Sequence, residues 1–388
     1  MKSIRSVNIS RQDVLMRVDF NMPIHGGKIL DDFRIERVLP TIQFLKSKKV
    51  KKIILISHLG QPTPSNQEQF SLQPVASCLE ELLGEKVYFI KTLVGKGLKE
   101  RIKKLPDNVI ILLENIRFYK EEKENNEEFA KELAQIADCF VNEAFSVCHR
   151  KIASLCAITE FLPSYSGILL EEELANLDRM IQKSEHPLVV VLGGVKIKDK
   201  ISVIERFKNK ADYILLGGLM ANTILKANGF CIGDSFYDES ALLQAGKITI
   251  GEAGLVLPSD FKVLDKDNQI QIKELGNISE DDKIFDIGPK TCDIFSKIIL
   301  KAKTVLFNGP MGKFEQEGFS EGTNKIIHAI VKNKLAFSVI GGGETITCFR
   351  SFNPKFKVSD SIFLSTGGGA MLKYLAGEPL PGLITLNK

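Results

Sequence analysis

Two triple-glycine turns stand near the end of the chain, Gly341-Gly342-Gly343-Glu344-Thr345 and Thr366-Gly367-Gly368-Gly369-Ala370. Each follows a short apolar run of strand length, Leu335 to Ile340 and Ser361 to Ser365, and each leads into a helical stretch. Glycine lets a backbone approach an anion closely, and the free N–H groups and dipole of a helix start favour negative charge. One such turn is weak evidence, because glycine clusters also make plain turns. Two of them, one with a carboxylate at Glu344 suited to Mg²⁺, read as a phosphate cradle.

Other polar residues collect at the ends of apolar runs, where open α/β sheets bind ligands. They are Arg17-Val18-Asp19-Phe20-Asn21-Met22-Pro23, Ser57-His58-Leu59-Gly60-Gln61-Pro62, Glu114-Asn115-Ile116-Arg117-Phe118, Asn142-Glu143-Ala144-Phe145 with His149-Arg150, and Gly193-Gly194-Val195-Lys196 running on to Asp199-Lys200. Arg34, Arg117 and Arg150, helped by His58, supply positive charge in the first half. Planar guanidinium groups suit bidentate binding of carboxylate or phosphate. Lys196 and Lys200 are four apart after a glycine pair, a spacing that predicts one helical face near a phosphate chain.

The elements that must position these groups have a βαβ rhythm. Strand-like runs recur at Val14 to Phe20, Ile53 to Ser57, Val87 to Ile90, Val109 to Leu113 and Cys139 to Asn142, with helical stretches between. The spacing of Ile35, Val38, Leu39, Ile42 and Leu45 predicts the first connecting helix. A second series follows at Leu188 to Leu192, Tyr213 to Leu216, Leu255 to Leu257, Thr304 to Phe307, Phe337 to Ile340 and Ile362 to Ser365. Alternation of this kind implies mostly parallel sheets covered on both faces. The expectation is therefore an α/β protein with two doubly wound domains, residues 1–167 and 185–377, joined by a hinge helix over 168–184.

Length and composition fit that plan. A chain of 388 residues is long for one core and comfortable for two. A net charge of +4 is too small to imply nucleic acid, and the run Lys46, Lys48, Lys49, Lys51, Lys52 reads as a solvated helix end leading into a strand. Seven scattered cysteines without a CxxC pair suggest neither a disulfide framework nor a zinc site. No signal-peptide core or membrane-length apolar segment is visible, so a cytoplasmic protein is expected. The sequence contains no GxxxxGK[ST] loop, no GxGxxG opening a helix, no nucleophile elbow and no HExxH.

Taken together, these segments resemble the phosphoglycerate kinase family along essentially the whole chain. The family's VDFN-x-P corresponds to Val18 to Pro23, its DD-x-RI to Asp31 to Ile35, its SHLG to Ser57 to Gly60 and its LLEN-x-RF to Leu112 to Phe118. VN-x-AF with a following HR corresponds to Val141 to Phe145 and His149-Arg150. In the second half, LGG-x-K and DK match Leu192 to Lys196 and Asp199-Lys200, DIGPKT matches Asp286 to Thr291, and NGPMG-x-FE matches Asn308 to Glu315. Both glycine turns match family signatures.

The resemblance implies a reversible, Mg²⁺-dependent phosphoryl transfer between ATP and 3-phosphoglycerate, giving ADP and 1,3-bisphosphoglycerate, in a monomer without nucleic-acid or membrane partners. It implies that Asp19, Phe20, Asn21, Arg34, His58, Leu59, Gly60, Gln61, Arg117 and Arg150 form the 3-phosphoglycerate site. Nucleotide would be held by Gly193, Lys196, Lys200, Asn308, Glu315, Gly341, Gly342, Gly343, Glu344 and Thr345, with Glu344 on the metal. Arg34 and Lys200 would neutralise the phosphoryl group in flight, with N–H donors at Gly343 and Gly369. It further implies that the lobes close during the reaction, and that a C-terminal tail, 378–388, packs back on the first domain.

This chain departs from the family pattern at several of these positions. Gln61 replaces an arginine that grips the substrate phosphate, and Glu143 replaces an aspartate. Around the adenine, Leu219 and Ile284 stand for glycines and Lys313 for valine, while Glu344 replaces the metal-binding aspartate. The departures leave three readings: a divergent phosphoglycerate kinase, a paralogue that phosphorylates another carboxylic acid, and a non-catalytic nucleotide-binding protein.

Overall fold

The structure, a computed structural model, describes residues 1–95, 97–251, 254–354 and 361–387. The chain divides into two compact units, Met1–Ala175 with Pro379–Lys388, and Asn176–Glu378.

The first unit is built on six parallel strands, β1 (Asp13–Arg17), β2 (Lys52–Ile56), β3 (Val87–Ile90), β4 (Val109–Leu113), β5 (Cys139–Asn142) and β6 (Ser164–Ser166). Their order is β3-β4-β2-β1-β5-β6. The chain runs from β1 to β2 and out to the edge strand β3, fills the place between β2 and β3 with β4, and then crosses to β1's other side with β5. The crevice at the carboxyl ends of β1 and β5 is the topological switch point, where such sheets leave room for a ligand. Strands β1, β2, β4 and β5 are almost entirely buried, as helices on both faces require. Helix α1 (Phe33–Ser47) buries Ile35, Val38, Ile42 and Leu45 on one stripe against this sheet.

Strand β1 is shorter than the run Val14 to Phe20. Beyond Val18, whose N–H still donates to the Ile56 carbonyl, the backbone turns to side chains: Phe20 N–H donates to Ser57 Oγ at 2.8 Å and Asn21 N–H to Asp19 Oδ1 at 3.0 Å. The lysine run also differs from expectation at its last member. Lys52 is 1% exposed and its ammonium lies 3.3 Å from Asp107, because β2 is an interior strand and its first residue is already inside the sheet. The segment Pro379–Lys388 belongs to this unit, with Gly382 N–H donating to the Cys148 carbonyl at 2.9 Å.

Glu143, just after β5, is fully buried and reaches the first turn of helix α2 (Ile168–Gln182). It accepts from Leu169 N–H at 3.0 Å, Leu170 N–H at 3.1 Å and the Thr41 hydroxyl. A helix start leaves such N–H groups without intrahelical partners, so carboxyl oxygens placed there satisfy those donors. Burial pushes the carboxyl up to about 7 against these hydrogen bonds. Glu143→Ala would strand three donors and should cost about 2–4 kcal/mol. The folded pKa lies above the ordinary 4.5, so the folded state holds the extra proton. Glu143's contribution is thus fully present below pH 4.5 and declines as pH rises through about 7. Urea titrations should therefore show a wider gap between wild type and variant at pH 5 than at pH 8.

In the second unit the parallel strands are β7 (Leu188–Leu192), β8 (Tyr213–Leu216), β9 (Leu255–Val256), β13 (Thr304–Asn308), β14 (Phe337–Gly341) and β15 (Ile362–Ser365), ordered β9-β8-β7-β13-β14-β15. Here the switch point falls between β7 and β13. Inserted in the chain is a three-stranded antiparallel sheet of β10 (Asp260–Leu264), β11 (Ile270–Glu274) and β12 (Lys283–Ile287), which the sequence reading did not anticipate. Its outer strand β11 is largely exposed and rich in polar residues, so it carries no apolar run. Among the described residues, no helix is long and apolar enough to cross a membrane.

Candidate functional site

The first unit gathers a group of cations around one carboxylate at its switch point. Arg17, at the end of β1, is 1% exposed. Its Nε donates to Ser154 Oγ at 2.9 Å, its Nη1 to the Val18 carbonyl, and its Nη2 lies 3.2 Å from His58 Nδ1. Ser154 in turn donates twice to buried Glu122, from its amide at 2.9 Å and its hydroxyl at 2.7 Å. Asp19, two residues after Arg17, accepts from the Arg34 guanidinium and the Ser146 hydroxyl. Burial alone would raise the Asp19 carboxyl, but the Arg34 guanidinium, the Ser146 hydroxyl and the Asn21 amide outweigh it and hold it at about 2.

His58 is a neutral member of this group and not the added cation that the sequence suggested. Burial drives its pKa well below 6.5, and Arg17, Arg117 and Arg34 press the same way against Asp19. With Nδ1 accepting from Arg17, the ring proton sits on Nε2. Arg117 is lowered to about 10 by burial and then by Arg150 and Arg17. Like charges therefore crowd one another, countered by Asp19 and Glu122, and an anion entering here would relieve them.

The loop after β2 closes this site. Gly60 N–H donates to Asn21 Oδ1 at 2.8 Å, and the Gly60 carbonyl accepts from Arg117 Nη1. Asn115 holds the Leu59 and Phe70 carbonyls at 2.7 and 2.9 Å. Phe20 and Leu59 have their side chains in the core, so only their backbones face this loop system. Gln61 is exposed just beyond Gly60, and exposed Arg150 has its Nε 3.3 Å from His149 Nε2.

The second unit holds its polar groups around the ends of β7 and β13. Gly193 N–H donates to the Asn308 carbonyl at 3.0 Å and Gly194 N–H to the Pro310 carbonyl at 2.7 Å. Helix α3 (Ile197–Phe207) begins one residue after Lys196. Lys196 is thus an exposed cap residue and Lys200 a buried helical one, so the two do not share the helical face that their spacing predicted. Lys200 donates to the Gly193 carbonyl. Its pKa falls to about 8, mainly through burial, with Lys196 adding and Glu344 and Asp199 opposing.

Both glycine turns open helices, α5 (Gly343–Phe352) and α6 (Gly369–Ala376), whose first residues are Gly343 and Gly369. Gly342 takes a φ of 97°, a conformation that a side chain would strain, and this turns the chain from β14 into α5. The turn is pinned by Asn308 Nδ2 donating to the Gly341 carbonyl at 2.9 Å and by Gly309 N–H donating to Thr345 Oγ1 at 2.7 Å. A Cβ added at Gly343 or Gly368 would meet no atom within 4 Å, so both turns face open space.

Beside the first of them lies a cavity of about 450 Å³, lined by Gly194, Leu219, Asn222, Ile284, Lys313, Glu315 and Glu344 among others. Leu219, Ile284 and Lys313, singled out in the sequence, all stand on its wall, with the Lys313 ammonium 4.9 Å from the centre of the Phe285 ring. Among the described residues, no cluster of three or more His, Cys, Asp or Glu could hold a metal by itself. That donor set fits Mg²⁺ carried on phosphate oxygens with one carboxylate, such as Glu344, beside it.

Sequence reasoning quoted Arg17 at its strand end without giving it a role, and missed Ser154 and Glu122 as parts of the first site. Arg17 had a signal: residues two apart on an extended chain share a face, so it had to accompany Asp19. It also missed Asn222.

Comparison with known proteins gives one consistent result. The profile of the family described as "Phosphoglycerate kinase" matches residues 4–378. A phosphoglycerate kinase of Dictyoglomus turgidum is 42% identical over 391 residues, covering 99% of this chain and 98% of its own length. Among solved structures, phosphoglycerate kinase from Pyrococcus horikoshii OT3 is 33% identical with a TM-score of 0.88, covering 100% of this chain and 98% of that one. That from Coxiella burnetii is 36% identical with a TM-score of 0.80, covering 99% and 98%.

Proposed function

Because the chain belongs to the phosphoglycerate kinase family, we propose that it moves a phosphoryl group reversibly between ATP and the carboxylate of 3-phosphoglycerate, yielding ADP and 1,3-bisphosphoglycerate. A carboxylate oxygen bonds to the γ-phosphorus as the bond to the ADP oxygen breaks. Both nucleophile and leaving group are anions, so no proton need move. The observation that carries the reading is the pairing of two kinds of site in one chain. One unit offers crowded guanidinium groups around Asp19; the other offers glycine turns and a buried lysine beside a large cavity.

In this proposal Asp19, Asn21, Arg34, His58, Arg117 and Arg150 bind 3-phosphoglycerate, with the Phe20 and Leu59 to Gln61 backbone shaping the loop. Asp19 orients Arg34, and neutral His58 orients Arg17. Gly193, Lys196, Asn308, Glu315 and Gly341 to Thr345 hold the nucleotide. Arg34, Lys200 and the N–H groups of Gly343 and Gly369 would offset charge spread over the equatorial oxygens, which is the main catalytic need of such a reaction. Mg²⁺, when bound, neutralises nucleotide phosphate charge, and Glu344 is the residue assigned to it. The readings as a kinase for another acid or as a non-catalytic protein gain no support from the relatives.

A coupled assay with ATP, Mg²⁺ and 3-phosphoglycerate tests the proposal, and absence of turnover at millimolar substrate would overturn it. In the same assay Gln61→Arg should lower the KM for 3-phosphoglycerate about ten- to a hundredfold, the worth of one charge-assisted hydrogen bond. An unchanged KM would remove position 61 from the substrate phosphate. The proposal also includes a monomer working in the cytoplasm. All seven cysteines are unpaired, as suits a reducing compartment. Gel filtration should give a single species near 43.2 kDa.

A further inference from the structure

We propose that Asn222 reads the base of the nucleotide, its side-chain carbonyl oxygen accepting a hydrogen bond from the exocyclic 6-amino group of adenine. The inference rests on the reading of the second unit's cavity as the nucleotide site.

Asn222 belongs to helix α4 (Gly218–Ala227), which starts at the end of β8, and it lines the cavity while being only 4% exposed. Its Nδ2 donates to the Phe236 carbonyl at 3.2 Å. That bond fixes the amide's orientation, since turning it round would set two carbonyl oxygens against each other. The other end, Oδ1, is buried and has no hydrogen-bond partner. Buried acceptors in folded proteins are nearly always paired, so one left over on a cavity wall marks where a ligand donor belongs.

The remaining polar groups on this wall are poorly suited to read a base. Asp286 is buried, but its two oxygens already accept from Ile287 N–H at 2.9 Å and Gly322 N–H at 2.8 Å. Glu315 and Glu344 are exposed, and a solvated carboxylate discriminates weakly because water replaces whatever the ligand lacks. The exposed ammonium of Lys313 rests over the Phe285 ring and is a donor only. Around them Leu219, Ile284 and Met311 give an apolar slot for a flat ring. In such surroundings a ligand lacking the amine leaves the acceptor unpaired, and specificity arises from that loss.

The test uses the full chain and two ligands, ADP and purine ribonucleoside 5′-diphosphate, which carries hydrogen in place of the 6-amino group. Titration calorimetry on wild type should show ADP binding about tenfold more tightly, the effect of one buried hydrogen bond. In Asn222→Ala the two affinities should fall within about twofold of each other, a change in ligand preference that loss of stability alone would not produce. Should Asn222→Ala fail to fold, Asn222→Ser serves for the same comparison. Equal binding by wild type overturns the inference, and so does a preference for ADP that persists in the variant. If ADP itself does not bind at millimolar concentration, the assignment of the cavity to nucleotide fails first.

Discussion

Lys200→Met is expected to lower turnover by about 10²–10³-fold while making the unliganded protein more stable. The two effects share one cause. Lys200 is 4% exposed, and burial outweighs the help of Glu344 and Asp199, so its pKa falls from the ordinary 10.5 to about 8. Between those values the unfolded chain binds more protons than the folded one. The penalty is therefore complete below pH 8 and is relieved as pH rises from about 8 towards 10.5. At pH 7 methionine, similar in length and uncharged, should recover about 1–3 kcal/mol, less whatever the Gly193 carbonyl loses with its donor. Such a cation is stabilised when phosphate arrives, which is how strain in the free protein becomes useful in the reaction. Urea unfolding and steady-state kinetics check both halves. Unchanged turnover would remove Lys200 from the proposed role, and a lower urea midpoint would contradict the electrostatic account. In wild type, kcat/KM should fall as pH rises through about 8, when the lysine loses its charge.

Arg34→Ala should reduce kcat by a comparable 10²–10³-fold, with a change of less than about tenfold in KM for 3-phosphoglycerate. This pattern is expected of a group whose main interaction forms in the transition state. The reverse pattern, a large KM effect with kcat intact, would make Arg34 a substrate anchor. The structure adds a cost to stability. Arg34 is the ion-pair partner of Asp19, whose side chain is 9% exposed, and removing it leaves a buried carboxylate with the Ser146 hydroxyl and Asn21 amide. Loss of one member of a buried pair costs about 3–5 kcal/mol. Asp19's folded pKa lies below the ordinary 3.8, so its contribution is present above that value and lost as pH falls through about 2. In Arg34→Ala, acid unfolding should begin at higher pH. Arg34→Lys keeps a charge without the planar fork and should fall between the two.

The sequence by itself carried much of the architecture. Strands such as Leu188–Leu192 and Cys139–Asn142 have the bounds expected from their apolar runs, because interior strands covered on both faces must be apolar at every residue. The stripe of Ile35, Val38, Ile42 and Leu45 is buried as its period requires. Where apolar signal is weak, the reading failed. Strand β11 is mostly exposed, and its pairing with β10 is set by neighbours in the sheet and not by its own pattern.

Chemistry was legible as residue types and not as charge states. The sequence supplied arginines, a histidine and lysines at strand ends, yet His58 is neutral, Lys200 is poised near pH 8 and Lys52 is buried while its run looked solvated. These states depend on desolvation and on partners far away in the chain. Asp19 meets Ser146 across 127 residues, and Glu143 meets Thr41 across 102. Such pairs exist because strand order places β5 beside β1, and β13 beside β7, at the switch points. Periodicity and turn chemistry are local and can be read along the chain. Which charges survive burial, and which acceptor remains open on a cavity wall as at Asn222, was decided only when the sheets brought distant residues together and excluded water.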